Sequence, residues 1–330
     1  MSIGQIFLYL YCTKQNTMTA PDHNTPIPAA RHKAPYPATR ETLYSAQELY
    51  AGYDAADEST RDQCYDAKVY RHYISTGKHA GAEQEAKRRA LHDHAIRQAL
   101  NRFLKGRDPK KSVGIMGGHA VLRTDAMFRQ IALLSKTLTE KGFLMMSGGG
   151  PGAMEATHLG AWLAGRTQKE TEDAFQILSA SPSFEDPGWL STAYRVMEKY
   201  PRGPYESLSI PTWLYGHEPS AAFASHIAKF FENSLREDGL LTFAFGGIIY
   251  SPGSAGTLQE IFQDAAQNHY LSFGFASPMI FLGRKFWTED VPVYPFLKGL
   301  QDKGRYKNLP LSIHDDSEEI VKELMAFGNR

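Results

Sequence analysis

Cysteine is scarce in this chain: Cys12 and Cys64 are the only two among 330 residues. Neither belongs to a CxxC pair, which argues against a zinc knuckle and against a disulfide scaffold. So few thiols fit a reducing, cytoplasmic setting. An excess of either charge is also missing, because 36 Lys and Arg balance 36 Asp and Glu. No protein-wide basic field exists to hold nucleic acid or an anionic membrane. The apolar run Ile6 to Cys12 is too short to span a bilayer and lacks the basic start and cleavage site of a secretory signal. Met18 opens a polar stretch soon after, so residues 1–17 read as an upstream extension or a misplaced start. There is no G-x-S-x-G elbow and no G-x-x-x-x-G-K-[ST] loop, which disfavours an α/β-hydrolase and a P-loop NTPase. His92 and His94 are two residues apart, a spacing that splits the rings across a helix, so no metal site is expected.

What is present is enough apolar material for a sizeable core, 42% of residues. Residues 1–41 carry prolines 21, 26, 28, 35 and 37 among polar neighbours and read as an extended or disordered arm. Residues 42–110 are helical in character, most clearly from Glu83 to Lys105. There Leu91, Ala95, Ile96, Ala99, Leu100, Phe103 and Leu104 form one stripe, and Lys87, Arg88, Arg89, Arg97 and Arg102 form a solvated or anion-facing side. From 111 to 330 strands alternate with helices. Strands are expected at Ser112–Met116, Phe143–Met146, Ala174–Ser179, Leu208–Tyr215, Gly247–Tyr250, Met279–Leu282 and Leu309–Ile313. Helices are expected at Asp125–Lys141, Ala153–Ala164, Leu190–Lys199, Ala221–Leu241, Ala255–Gln267 and Glu318–Ala326. That alternation predicts a Rossmann-like, doubly wound parallel sheet in an α/β fold with an N-terminal helical extension.

Ligands of such sheets bind beyond the carboxyl ends of the strands. Two glycine-rich loops fall there. The first runs from Ser147 through Gly148, Gly149, Gly150, Pro151 and Gly152 to Glu155. Its glycines let the backbone approach a ligand, and the free N–H groups of the following helix suit a phosphate. A tight turn without a ligand is the plain alternative. Gly148, Gly150 and Ala153 also match the dinucleotide pattern G-x-G-x-x-A, with Glu170, Glu172 or Asp173 as the acidic partner. The second loop runs from Ser251 through Pro252, Gly253, Ser254, Ala255, Gly256 and Thr257 to Glu260. Thr257 and Glu260 have capping-box spacing, which would explain both without catalysis. Asp264 lies one turn further on. Gly117, Gly118 and His119 end the first strand on the same edge.

Taken together, the run Gly148–Glu155 and Pro252 to Glu260 resemble the LOG family, whose hallmark is PGGxGTxxE. The resemblance covers roughly residues 112–285 and is greatest to the pyrimidine/purine nucleotide 5′-monophosphate nucleosidase branch. It implies a Rossmann-like fold, a homodimer or larger assembly, and hydrolysis of a nucleoside monophosphate to free base and ribose 5-phosphate without a cofactor. The family's last motif glutamate falls on Glu260. Its catalytic arginine is matched by Arg236, sixteen residues before Pro252. Ser254 departs from the family by standing at its second glycine, and Glu237 follows the arginine where cytokinin-activating members have lysine.

The expected activity is thus a phosphoribohydrolase. Glu260 would stabilise positive charge on the ribose or position the attacking water, and Arg236 would hold base or phosphate. The phosphate would rest on the two loops. A non-catalytic nucleotide sensor or carrier of the same fold is the second expectation. An NAD(P)-dependent oxidoreductase rests on the G-x-G-x-x-A match alone, and a decarboxylase has no recognisable pyridoxal phosphate lysine.

Overall fold

Among the described residues seven strands form one sheet, each joined to its sheet neighbours by parallel pairing only, and the inner ones are short buried runs of apolar residues. The computed structural model describes residues 34–329. The apolar run at 6–12, Met18 and most of the arm expected over 1–41 lie outside the described residues. Three helices precede the sheet: α1 (Ala46–Leu49), α2 (Tyr65–Ser75) and α3 (Glu83–Leu104). Then follow β1 (Ser112–Met116), α4 (Ala126–Glu140), β2 (Leu144–Ser147), α5 (Ala153–Trp162), α6 (Gln168–Leu178), α7 (Trp189–Lys199), β3 (Ser207–Ser209) and β4 (His226–Ile227). The chain continues through α8 (Asn233–Phe243), β5 (Gly247–Tyr250), α9 (Ala255–Tyr270), β6 (Met279–Leu282), α10 (Val293–Asp302), β7 (Leu311–His314) and α11 (Ser317–Gly328).

The strand order is β4-β3-β2-β1-β5-β6-β7. The sequence of connections reverses at β1, whose Val113 pairs Met145 of β2 on one side and Gly247 of β5 on the other. A crevice opens at such a reversal, above the carboxyl ends of β1 and β5. β1, β2, β5 and β6 are buried throughout, as expected for parallel strands covered on both faces. The fold is therefore the α/β, Rossmann-like parallel sheet that strand–helix alternation predicts.

Several segments differ from expectation. Ala174–Ser179 is the end of α6 rather than a strand. Thr167 and Glu170 form a full capping box that starts this helix. The predicted strand at Leu208–Tyr215 stops at Ser209, and Pro211, which has no N–H to give a ladder, is followed by a 3₁₀ turn at Trp213–Tyr215. The long helix expected over Ala221–Leu241 exists only from Asn233. Ala221, Phe223, Ala224, Ile227, Ala228, Phe230 and Phe231 are all buried, so the stretch has no solvated face and runs as a loop around β4. In α3, Leu91 is exposed while Arg89 is buried, its guanidinium held by Glu85, Thr76 and backbone carbonyls.

The N-terminal helices are joined to the sheet by polar contacts from buried side chains. Tyr44 forms an antiparallel bridge with Ile227 of the edge strand β4. Asp66 of α2 accepts from Lys229 Nζ at 2.7 and 2.8 Å, from Trp213 Nε1 at 2.8 Å and from Ser220 Oγ at 3.1 Å. Both members of this ion pair are buried. Removing one partner strands the other charge in the interior. Lys229→Ala is expected to cost about 3–5 kcal/mol in urea unfolding, whereas exposed Lys87→Ala should cost about 0–1 kcal/mol.

Candidate functional site

The turns after β1, β2 and β5 meet at one point of the sheet edge. Gly118 N donates to the carbonyl of Pro252 at 3.0 Å, and Gly118 O accepts from Ala153 N at 3.1 Å. One residue thus ties the first glycine loop to the second. Gly152 has φ 67°, and a Cβ there would lie 2.5 Å from the carbonyl oxygen of Gly118, so only glycine fits.

The first loop is organised from below. Ser147 is fully buried; its Oγ accepts from Gly149 N at 3.2 Å and pairs with His158 Nε2 at 2.8 Å. The other nitrogen of His158 meets Ser207 Oγ at 3.0 Å, and burial pushes the imidazole down to about 3. Gly149 O accepts from Ala221 N at 2.8 Å, next to Ser220 of the Lys229–Asp66 cluster. Gly150 N donates to Met154 Sδ. Glu155 is turned inward: its carboxylate takes Arg123 Nε at 3.0 Å and Nη2 at 2.5 Å, and both residues are buried. Its charge is thereby committed to Arg123, which in turn anchors Trp189 O and Thr192.

The second loop leads directly into α9. The helix begins at Ala255, so Thr257 is its third residue and the anticipated capping box with Glu260 does not form. Ser254 occupies the cap position with no side-chain hydrogen bond to the helix, and Ser254, Ala255 and Gly256 are exposed. The first N–H groups of α9 therefore stand open where the dipole end is positive. Ser254 has φ −115°, a value any side chain accepts. Gly253 packs against Thr257 Oγ1.

The buried stripe of α9 carries Thr257, Glu260, Ile261, Asp264, Ala265 and Asn268. Two carboxyls on a buried face are unusual, since such groups stay exposed unless paired. Burial pushes Glu260 up to about 7, with Arg236 pulling it down and Glu237 adding to the rise. Asp264 is likewise pushed to about 7 by burial, opposed by the Tyr250 hydroxyl that donates to it at 2.6 Å. Arg236, on α8, reaches Glu260 Oε1 with Nη1 at 3.8 Å and donates from Nε to Ile210 O at 3.1 Å. Its guanidinium packs against Gly148, where a Cβ would collide with Nη2. First loop, Arg236 and Glu260 are thus in one contiguous set.

His119 lies on the far side of Gly118. Its side chain is 49% exposed, with Nδ1 3.4 Å from Glu218 Oε1 and its ring edge-on to Phe184. Two cavities border the set. One of about 30 Å³ is enclosed by Gly148, Gly149, Gly150, Glu218, Lys229 and Arg236. Another of about 270 Å³ is lined by His119, Pro151, Gly152, Phe184 and Trp189 among others. The smaller has room for little more than a water, and Glu260 lines neither cavity.

The acidic residues proposed as a dinucleotide partner are engaged elsewhere. Glu170 caps α6, Glu172 accepts from Arg129 Nη1 at 2.6 Å, and Asp173 binds Lys199 and Tyr200. The G-x-G-x-x-A match follows β2 rather than β1. Lys229, Asp66, Glu218, His158 and Arg123 all shape the site and carry no motif. A lysine within an otherwise apolar stretch was the one legible hint.

No protein-family model and no curated protein matches the chain. Among solved structures, it is similar to a molybdenum cofactor binding protein from Rippkaea orientalis, with 13% identity and TM-score 0.40 over 65% of this chain and 95% of that one. A structural-genomics target named TM1055 gives 17% identity and TM-score 0.40 over 65% and 99%. The Moco carrier protein of Chlamydomonas rheinhardtii gives 14% identity and TM-score 0.39 over 67% and 99%. Likeness of this degree concerns backbone layout and says nothing of what this chain binds. Among the described residues, no helix is long and apolar enough to cross a membrane.

The raised carboxyls fix the sign of a stability effect. The folded state holds these protons more tightly than the unfolded chain. Their uncharged form is fully favourable below the usual carboxylate range, and that advantage is lost as pH rises through about 7. Glu260→Gln is therefore expected to stabilise the protein at pH 8 by on the order of 2 kcal/mol and to be near neutral at pH 5. Calorimetric Tm values at the two pH values check this; a gain confined to pH 5 contradicts it.

Proposed function

We propose that this protein binds a nucleoside 5′-monophosphate at the β1–β5 crevice and hydrolyses its N-glycosidic bond. The observation that carries the reading is the Glu260–Arg236 pair, packed between a backbone-rich glycine loop and an uncapped helix start. The phosphate is assigned to the open amides of Ala255 and Gly256 and the Ser254 hydroxyl. Glu260 lies about 7 Å further along the same helix, by its rise per residue. As the C1′–N bond breaks, positive charge grows on the ribose. An ionised Glu260 stabilises that charge, or takes the proton of the water that adds to C1′. Arg236 is released from Glu260 when it engages phosphate or base by charge-assisted hydrogen bonds. The resemblance of these loops to the LOG family supports the same reaction, and no cofactor or metal takes part in this scheme. A cytoplasmic homodimer is part of the same proposal.

A second reading, a nucleotide carrier or sensor, is favoured by the Arg236–Glu260 contact itself. Arg236 lines the smaller cavity and holds the carboxylate at 3.8 Å, while burial keeps that carboxyl half-neutral near pH 7. Turnover distinguishes the two. Incubation with AMP, GMP, IMP, CMP and UMP is expected to release free base from at least one, detected by chromatography. The rate should climb as pH passes through about 7, where Glu260 loses its proton. Glu260→Gln should reduce kcat by about 10²–10³ fold. Binding of these nucleotides with no base released would favour the carrier, and an undiminished Glu260→Gln enzyme would remove this carboxylate from the chemistry.

A further inference from the structure

α8 begins without a cap of its own. Its N-cap residue Glu232 makes no capping hydrogen bond from its side chain. A carboxylate from another element takes that place. Asp93 of α3 accepts from Phe231 N at 2.9 Å and from Glu232 N at 2.8 Å, and it is 2% exposed. The carbonyl of Glu232 in turn accepts the backbone N–H of Arg236 at 3.3 Å. Asp93 is itself held by His92, whose Nδ1 lies 3.1 Å from Oδ1, and His92 Nε2 lies 2.8 Å from the Tyr44 hydroxyl. The arrangement suits a chain in which the phenol donates to Nε2 and Nδ1–H donates to the carboxylate. Burial raises the Tyr44 phenol, which keeps it a donor. A cavity of about 630 Å³, bounded by Asp93, Phe231, Glu232 and Leu235 among others, lies beside the start of α8.

We infer that Asp93 is a positioning residue for Arg236, fixing from the N-terminal helices the point at which α8 begins, with His92 and Tyr44 holding Asp93 in place. The inference rests on the hydrolase reading for its kinetic consequence, not for its structural one. A carboxylate accepting two backbone amides cannot be replaced by a carboxamide, which presents one acceptor and one donor. Loss of the bond to Glu232 N frees the first turn of α8 and lets the guanidinium drift from Glu260.

The test uses the full-length chain. In Asp93→Asn, amides of residues 233–243 should exchange with deuterium about tenfold faster, while those of β1 and β5 stay unchanged. With the responsive mononucleotide, kcat/KM should fall about tenfold or more, because Arg236 no longer meets phosphate or base. The Asp93→Asn/Arg236→Ala double variant should be no slower than Arg236→Ala alone, because the two losses share one cause. Unchanged exchange in α8, or losses that multiply in the double variant, would overturn the inference. Should Asp93→Asn fail to fold, Tyr44→Phe removes one hydroxyl at the far end. It should give about threefold faster exchange confined to α8, and uniform or absent change would count against the proposal. The exchange measurement needs no turnover, so a chain that hydrolyses no nucleotide refutes the proposed reaction while leaving this inference to be decided separately.

Discussion

The backbone of Gly118 is the constraint on which the candidate site rests. It donates to the β5 loop and accepts from the start of α5, so the ends of three adjacent strands are locked to one residue. Parallel pairing places β2 and β5 on either side of β1. It does not by itself bring their loops into register, and the two hydrogen bonds of Gly118 do. Gly152 then has to be glycine because its neighbour is that same carbonyl.

A second consequence follows from dryness. Glu260 and Asp264 sit on the buried stripe of α9, where water does not stabilise their charge. Among the described residues Arg236 is the cation that lowers the proton affinity of Glu260, at 3.8 Å, without forming a tight pair. The structure thus holds a carboxyl near neutrality of charge at the pH of the cell, beside an arginine that also touches the first loop. Such groups cluster where chemistry is done. The helices before β1 take part in this arrangement through Asp66, which reaches Lys229 and Ser220 beneath Gly149, and through Asp93.

The regular parts of the fold were legible because their patterns were clean. Ser112–Met116, Gly247–Tyr250 and Met279–Leu282 are short apolar runs followed by turn residues, and each is a strand with those limits. Ala174–Ser179 misled because a short apolar run is compatible with helix or strand, and the deciding Thr167–Glu170 cap lies several residues upstream. The stretch 221–232 misled for a different reason. Helical periodicity is absent because nearly every residue is buried, with only Ser225, His226 and Glu232 reaching solvent, and Lys229 disappears inward because Asp66, distant in sequence, awaits it. At the site, the glycines and the helix start were visible as local patterns. The partners that orient them were not, since Glu155 with Arg123 and Ser147 with His158 are pairs that only tertiary folding creates. Capping-box spacing at Thr257 and Glu260 was a coincidence, because the helix begins two residues earlier, at Ala255.

The bridge between Tyr44 and Ile227 has a bearing on how copies of this chain can associate. It occupies the outer backbone of β4, so that margin of the sheet is already partnered by the chain itself. Among the described residues β7 has a neighbour on one side only. Any self-association that lengthens the sheet by strand addition is therefore directed to the β7 margin. The crevice above β1 and β5 lies toward the middle of the sheet, so growth at that margin would leave it uncovered.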